Sequence, residues 1–296
     1  MGKLLKLVFF RLRKEKAPWI EAFIAIGYAL LVVLIYYIIY QSAVASGTSP
    51  DDVGISFRVM VLKTMSAGYN IPAVLIVAGV ASFFYTEINY GTLRNQIVSG
   101  YSRKEIYTAY WLGMQVYSVL MLLVYGLTTA ALSSILLPSG FTESNILPFF
   151  AALGLGVLYE AGLTSLAFFL ITLIKFPAWP IVIIVIAAVS SMIVSISLIS
   201  QKVSGSHGDV SVFYFLLWMP DIQVATLQAG DLSYVTTSMG FGGIGNFTSL
   251  NAEQIIGVEH TDYTGYATFA ILTENIVITL GSYLGGLFYF DHHDLK

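Results

Sequence analysis

An all-α protein threaded several times through a membrane is the fold class this sequence predicts, on three observations. Of its 296 residues, 57% are hydrophobic and only 10% are charged. A water-exposed surface usually takes about 25% charged residues, so composition argues against an ordinary soluble enzyme, and against disorder. Six apolar runs approach or exceed the roughly 20 residues that a spanning helix needs. Finally, the basic residues collect on alternate sides of those runs. Two classes fall away at once. The chain has no cysteine, so disulfides, thiol nucleophiles and thiolate metal sites are excluded. A net charge of −3 gives no reason to invoke nucleic acid.

Residues 1–17 read as an interfacial helix. Leu4, Leu5, Val8, Phe9 and Leu12 share one face, and Lys3, Lys6, Arg13 and Lys14 the opposite one. Such a helix lies along the membrane with its cations toward anionic headgroups. Phe10 and Arg11 break the pattern, and Pro18 separates this helix from the first span. That span, Trp19 to Tyr40, is too long for a signal h-region of about 7–15 residues, although Ala43-Val44-Ala45 resembles a cleavage site. Glu21, near its start, is placed to reach the headgroups.

The second span is Ile71 to Thr86, and a cytoplasmic turn at residues 87–105 follows. Leu93, Ile97 and Val98 form a short apolar stripe, so a short helix is expected there. Gly100 sits where a helix ends in positive φ. Ser102 begins the next helix, and Glu105 three residues on completes a capping box. Span three is Ile106 to Leu137 and span four Leu147 to Ile174. Span five is Pro180 to Ser200 and span six Tyr266 to Phe290. Lack of alternation in these runs argues against a barrel. The large external loop, residues 201–265, holds an apolar piece, Val212 to Met219, too short to cross a bilayer. It is expected to cap the outer mouth.

Orientation follows from the cations. Lys3, Lys6, Arg11, Arg13, Lys14, Lys16, Arg94, Arg103, Lys104, Lys175 and Lys296 fall on one side. Only Arg58, Lys63 and Lys202 fall on the other. The basic side is the cytoplasm, which puts both termini there and the protein in a cell membrane, expected to be a bacterial plasma membrane.

Two carboxylates, Glu160 and Glu274, fall well inside predicted spans. An ionised carboxylate there needs a partner, a cavity or a pathway. They are candidates for a substrate pathway, against the plainer alternative of interhelical hydrogen bonds. Enzyme chemistry finds no inventory: there is no P-loop ending in Lys-Ser/Thr and no His-Glu-x-x-His. His292 and His293 are neighbours that project to different sides. No catalytic residue and no metal ligand is assigned.

The turn carries a resemblance. Glu87, then Gly91-Thr92, then Gly100-Tyr101-Ser102-Arg103 before a long helix resembles the permeases of ABC-2 type exporters, the branch handling bacitracin and lantibiotics most closely. The resemblance covers the whole chain as one transmembrane domain, 1–296. It implies that Glu87, Gly91, Thr92, Leu93, Arg94, Ile97, Gly100, Ser102 and Arg103 form the coupling to an ATPase. It implies two ATP-binding subunits that hold ATP and Mg, a second permease, membrane lipid around the pair, and export of an amphipathic or antimicrobial peptide. No cofactor is implied in this chain itself. Export of a lipid, drug or polysaccharide, or a membrane immunity protein working without ATP, remain the alternatives.

Overall fold

The computed structural model describes residues 1–47, 71–137, 143–183 and 263–292. These residues are helical, with no strand among them. In chain order the helices are α1 (Gly2–Lys14), α2 (Ala17–Ala45), α3 (Ile71–Asn89), α4 (Thr92–Val98), α5 (Arg103–Leu136), α6 (Glu143–Ile174) and α7 (Tyr263–His292). A further helical turn occupies residues 178–183. Predicted spans one, two, three, four and six thus fall on α2, α3, α5, α6 and α7. The helices run a few residues beyond the apolar stretches at one or both ends. The external loop, apart from its last residues in α7, and most of span five lie outside the described residues.

Among the described residues three helical segments are long and apolar enough to cross a membrane: Ala17–Ala45, Arg103–Leu136 and Gly156–Ile174. Residues 73–89 and 92–98 make a fourth if taken together, across a 58° bend. The outer surface is what a membrane requires. Phe23, Ile38, Leu120, Ile135, Leu284 and Phe288 all point outward, where a soluble protein would place charge. On α7 the exposed Val277, Leu280, Leu284 and Phe288 recur at helical spacing and form an apolar outer stripe.

Inside, α7 packs chiefly on α6 and α2 on α5, while α5 also touches α1, α3, α4, α6 and α7. Small residues permit the close approaches. Ala25, Ala29 and Val33 form the buried edge of α2. A Cβ on Gly286 would strike the Tyr107 hydroxyl, and one on Gly79 would strike Glu21 and Tyr117. The core at the turn end is aromatic: Phe84 lies 4.3 Å from Phe168, and Tyr107 lies 5.0 Å from Phe168 and 5.5 Å from Phe290. One residue from each of α3, α5, α6 and α7 meets there.

Two expectations change. Leu4 and Val8 of α1 are fully buried in the bundle, and Leu5 and Leu12 pack against the core. The apolar stripe of the first helix is therefore taken up by protein, chiefly α5, and only Phe9 of that stripe stays exposed. Glu21 does not turn toward headgroups. It accepts a hydrogen bond from the Tyr117 hydroxyl on α5.

The contact of α1 with α5 turns on Gly113, where a Cβ would lie 2.5 Å from Val8 Cγ1. Gly113→Ala is expected to destabilise the protein by about 1–3 kcal/mol through overpacking. Adding Val8→Ala should return part of that loss. Thermal unfolding of the single and double variants in detergent checks it, and purely additive losses would show that α1 does not pack as described.

Candidate functional site at the turn between α3 and α5

The turn from α3 to α5 is built from local rules. Gly91 has φ +66° and its N–H donates to the Ile88 carbonyl at 3.2 Å, which ends α3 and swings the chain into α4. At the far end Gly100 has φ +92°. Its N–H donates to the Ile97 carbonyl at 2.9 Å, and the Tyr101 N–H to the Gln96 carbonyl at 3.2 Å. These two bonds make a Schellman motif, whose αL position suits glycine. Ser102 then caps α5: the Glu105 N–H donates to Ser102 Oγ at 3.2 Å, and the Ser102 N–H to Glu105 Oε2 at 3.1 Å. Both halves of the capping box are present.

Tertiary contacts hold α4 down. Leu93 and Gln96 are buried. The Gln96 amide donates to the Tyr110 hydroxyl at 2.8 Å, and that hydroxyl donates to Glu87 Oε2 at 2.8 Å. Arg11 of α1 completes the network with an ion pair to the same carboxylate oxygen. Glu87 is completely buried, whereas Arg11 keeps a 26% exposed side chain. Burial explains the cluster: a carboxylate removed from water must be paired and hydrogen-bonded.

Glu15 also lies near this network. Burial, and then the negative charge of Glu87, push its carboxyl above the ordinary glutamate value, and Arg11 pulls it back only in part. The folded state therefore holds the Glu15 proton to higher pH than the unfolded chain does. Its effect on stability is absent below the ordinary glutamate value. It becomes unfavourable as pH rises through the interval up to the raised one.

The sequence-derived residues divide by position. Glu87 and Leu93 face inward, and Ile97 packs against the core. Gly91, Gly100 and Ser102 shape the backbone, with Thr92 opening α4 between them. Arg94 is exposed. Arg103 donates to the Asp291 carbonyl of α7 at 3.3 Å, and Lys104 pairs with the Asp291 carboxylate at 3.5 Å. Val98 does not join the apolar stripe expected with Leu93 and Ile97: it ends α4 on the opposite side at 87% exposure, and with Tyr90 at 77%, which was not singled out in the sequence, it is the most exposed apolar side chain at the turn. Arg11, Tyr110 and Gln96 were also missed, and only Arg11 left a trace, as a break in the amphipathic pattern.

Of the two candidate pathway carboxylates, Glu160 is fully buried in α6. Glu274 lies in α7 with its side chain outside the described residues. Among the described residues no group of three or more His, Asp or Glu could hold a metal ion. No protein-family model, curated protein or solved structure matches the chain.

Removing one partner of the Arg11–Glu87 pair should hurt more than removing both. Arg11→Met leaves Glu87 buried without its cation, a loss of about 3–5 kcal/mol for a fully buried pair, reduced here by the partial exposure of Arg11. Adding Glu87→Gln to it should restore stability, read as the unfolding midpoint in detergent. Glu15→Gln should remove the Glu15 share of the stability lost as pH rises above the ordinary glutamate value; an unchanged pH profile would count against that assignment.

Proposed function

We propose that the chain is the transmembrane subunit of an ATP-driven exporter of the ABC-2 type. In this reading it has six spans, both termini in the cytoplasm and a cap of external loop. It works with a second permease, identical or homologous, and with two ATP-binding subunits that bind ATP and Mg and perform the hydrolysis. Its cargo is an amphipathic or antimicrobial peptide, carried outward along a route at the permease dimer interface.

One observation carries the reading. A seven-residue helix, α4, is bonded to the bundle on one side and presents Arg94 and Val98 on the other, with Tyr90 exposed in the turn just before it. An apolar residue as exposed as Val98, beyond the apolar outer belt, has no stabilising use within this chain. A soluble partner that closes over it would exclude water from both tyrosine and valine. The two caps and the Glu87 network leave α4 little freedom to move alone, so a push on it reaches α3, α5 and α1 together. That is the requirement for converting ATP-driven closure into helix movement.

The division of labour within the motif follows. Glu87, Leu93 and Ile97 hold α4 to the bundle, Gly91, Gly100 and Ser102 set its angle, and Tyr90, Arg94 and Val98 meet the ATPase. Val98→Asp changes an 87% exposed side chain and should leave abundance and unfolding midpoint unaltered, surface substitutions being worth within about 0.5 kcal/mol. The variant should nevertheless lose most co-purification with the ATP-binding subunit of the proposed complex. Full capture and full peptide resistance in a normally abundant Val98→Asp protein would overturn the coupling role. Gly100→Val, at φ +92°, should instead lower stability as well as capture.

A further inference from the structure

Helical hydroxyls in this bundle follow a habit. Thr86, Thr128, Thr129, Ser165, Thr172 and Thr279 each donate to the backbone carbonyl four residues earlier, at 2.6–3.0 Å. This is the default for a hydroxyl that has no water. Two buried hydroxyls break the habit, Ser133 on α5 and Thr164 on α6. Thr164 is fully buried, yet its Oγ1 has no hydrogen-bond partner. The carbonyl it forgoes is that of Glu160. Both carboxylate oxygens of Glu160 are likewise buried without a partner.

These two side chains stand one turn apart on the same buried stripe of α6, with Ala167 and Ile171 continuing it. Positions i and i+4 put their Cβ atoms about 5–6 Å apart. Three oxygens thus share one buried stripe, and the single hydrogen they carry, on the Thr164 hydroxyl, is bonded to none of them.

Among the described residues the surroundings supply no positive charge, and no charged group there acts on Glu160. Along α6 the nearest basic residue is Lys175, about 22 Å away on the axis. The helices packed on α6 are α3, α5 and α7. Between residues 73 and 84, α3 carries no titratable side chain. By register the nearest titratable group of α5 is Tyr117, which already donates to Glu21. On α7 it is Glu274, whose side chain lies outside the described residues; the neighbouring Asn275 and Thr279 face Gly162 instead.

We propose that Glu160 and Thr164 form a binding site for one small monovalent cation, a sodium ion or a proton. The ligand is singly charged because one carboxylate carries one negative charge, and a divalent ion would leave an uncompensated charge in the interior. It is small because both side chains are closed to solvent, which leaves no room for an organic ammonium. A sodium ion would take oxygen ligands from both residues. A proton would sit on one Glu160 oxygen and be donated to Thr164 Oγ1, whose own hydrogen then returns to the Glu160 carbonyl in the habitual bond. The site stands on the bundle interior alone and is independent of the exporter reading.

The test is thermal unfolding of the purified full-length chain in detergent. Sodium chloride is compared with choline chloride at equal ionic strength, and the series is repeated from pH 5 to 8.5. The site predicts saturable stabilisation by sodium over choline, or stabilisation on acidification that sodium does not alter; the first identifies the ion and the second the proton. The sodium response should vanish in Glu160→Gln, which keeps the shape without the charge, and the acid response should shrink there to the share that Glu15 supplies. Thr164→Val should move the midpoint concentration of sodium, or of protons, at least tenfold. A Glu160→Gln protein that responds as the wild type does overturns the site, as does a wild type that responds to neither. If Glu160→Gln fails to accumulate, Thr164→Val decides, and an unmoved midpoint overturns the proposal.

Discussion

The pair of Arg11 with Glu87 joins parts of the chain that nothing else in the sequence forces together. Glu87 ends α3, Arg11 comes from the first helix, and Tyr110 and Gln96 bring in α5 and α4. An apolar cluster of similar volume would hold these pieces as firmly, since a buried ion pair gains little over well-packed hydrophobes. A pair differs in being directional. Guanidinium and carboxylate bond in a fixed geometry, so α1 is committed to one register along α5 and α4 to one distance from the bundle. The Met1 amine, 3.9 Å from Glu105, and Val8 against Gly113 agree with that register. The turn is thereby positioned from outside by a helix that does not touch its exposed side.

Stiffness is the consequence. A Schellman motif at Gly100 and a capping box at Ser102 lie within three residues of each other, so the corner between α4 and α5 has few free dihedrals. The other end of α5 is apolar and embedded. Its first turn is tied to α7 through Arg103, Lys104 and Asp291. Basic residues at a helix N-terminus oppose the helix dipole, and pairing with the end of α7 offsets that penalty while fixing the two helices together. Displacement of the turn is thus shared by α3, α5 and α7, the three helices that pack on α6.

What could be read from the sequence was whatever depends on neighbours in the chain. Five of the six apolar runs are helices among the described residues, as a long apolar backbone that must bond within itself requires. Gly100, Ser102 and Glu105 were legible because a cap is a contract among residues three or four apart. Glu160 could be found because a carboxylate is conspicuous in an apolar run. The burial of Glu87 inside its network was not legible, since its partners lie far away in the chain, on α1 and α5. Nor was the fate of the α1 stripe: an amphipathic pattern reports that one face avoids water, and does not say whether lipid or protein covers it. The mismatch at Arg11 was the one local sign. A cation on the flank of an apolar stripe fits poorly on a lipid surface and well beside a buried carboxylate.

Three carboxylates inside the bundle can be compared directly. Glu87 is served by Tyr110 and Glu21 by Tyr117, two tyrosines seven residues apart on α5 and so on the same side of that helix. Their row continues to Tyr125, which stacks on Tyr28 of α2 at 6.0 Å. One face of α5 thus provides phenol donors to the carboxylates of α2 and α3. Where α5 meets α6 the donors are Trp111 and Gln115, and both are spent on Ser165 and the Ala161 carbonyl. Those acceptors lie on the neighbouring face of α6, next to Glu160 and Thr164 in sequence but turned about 100° from them. The bundle therefore contains donors for an internal carboxylate and uses them twice, at Oε2 of Glu87 and of Glu21, while Glu87 Oε1 stays without a partner. At Glu160 the available donors are directed one residue aside, and what would neutralise it must come from outside the described helices.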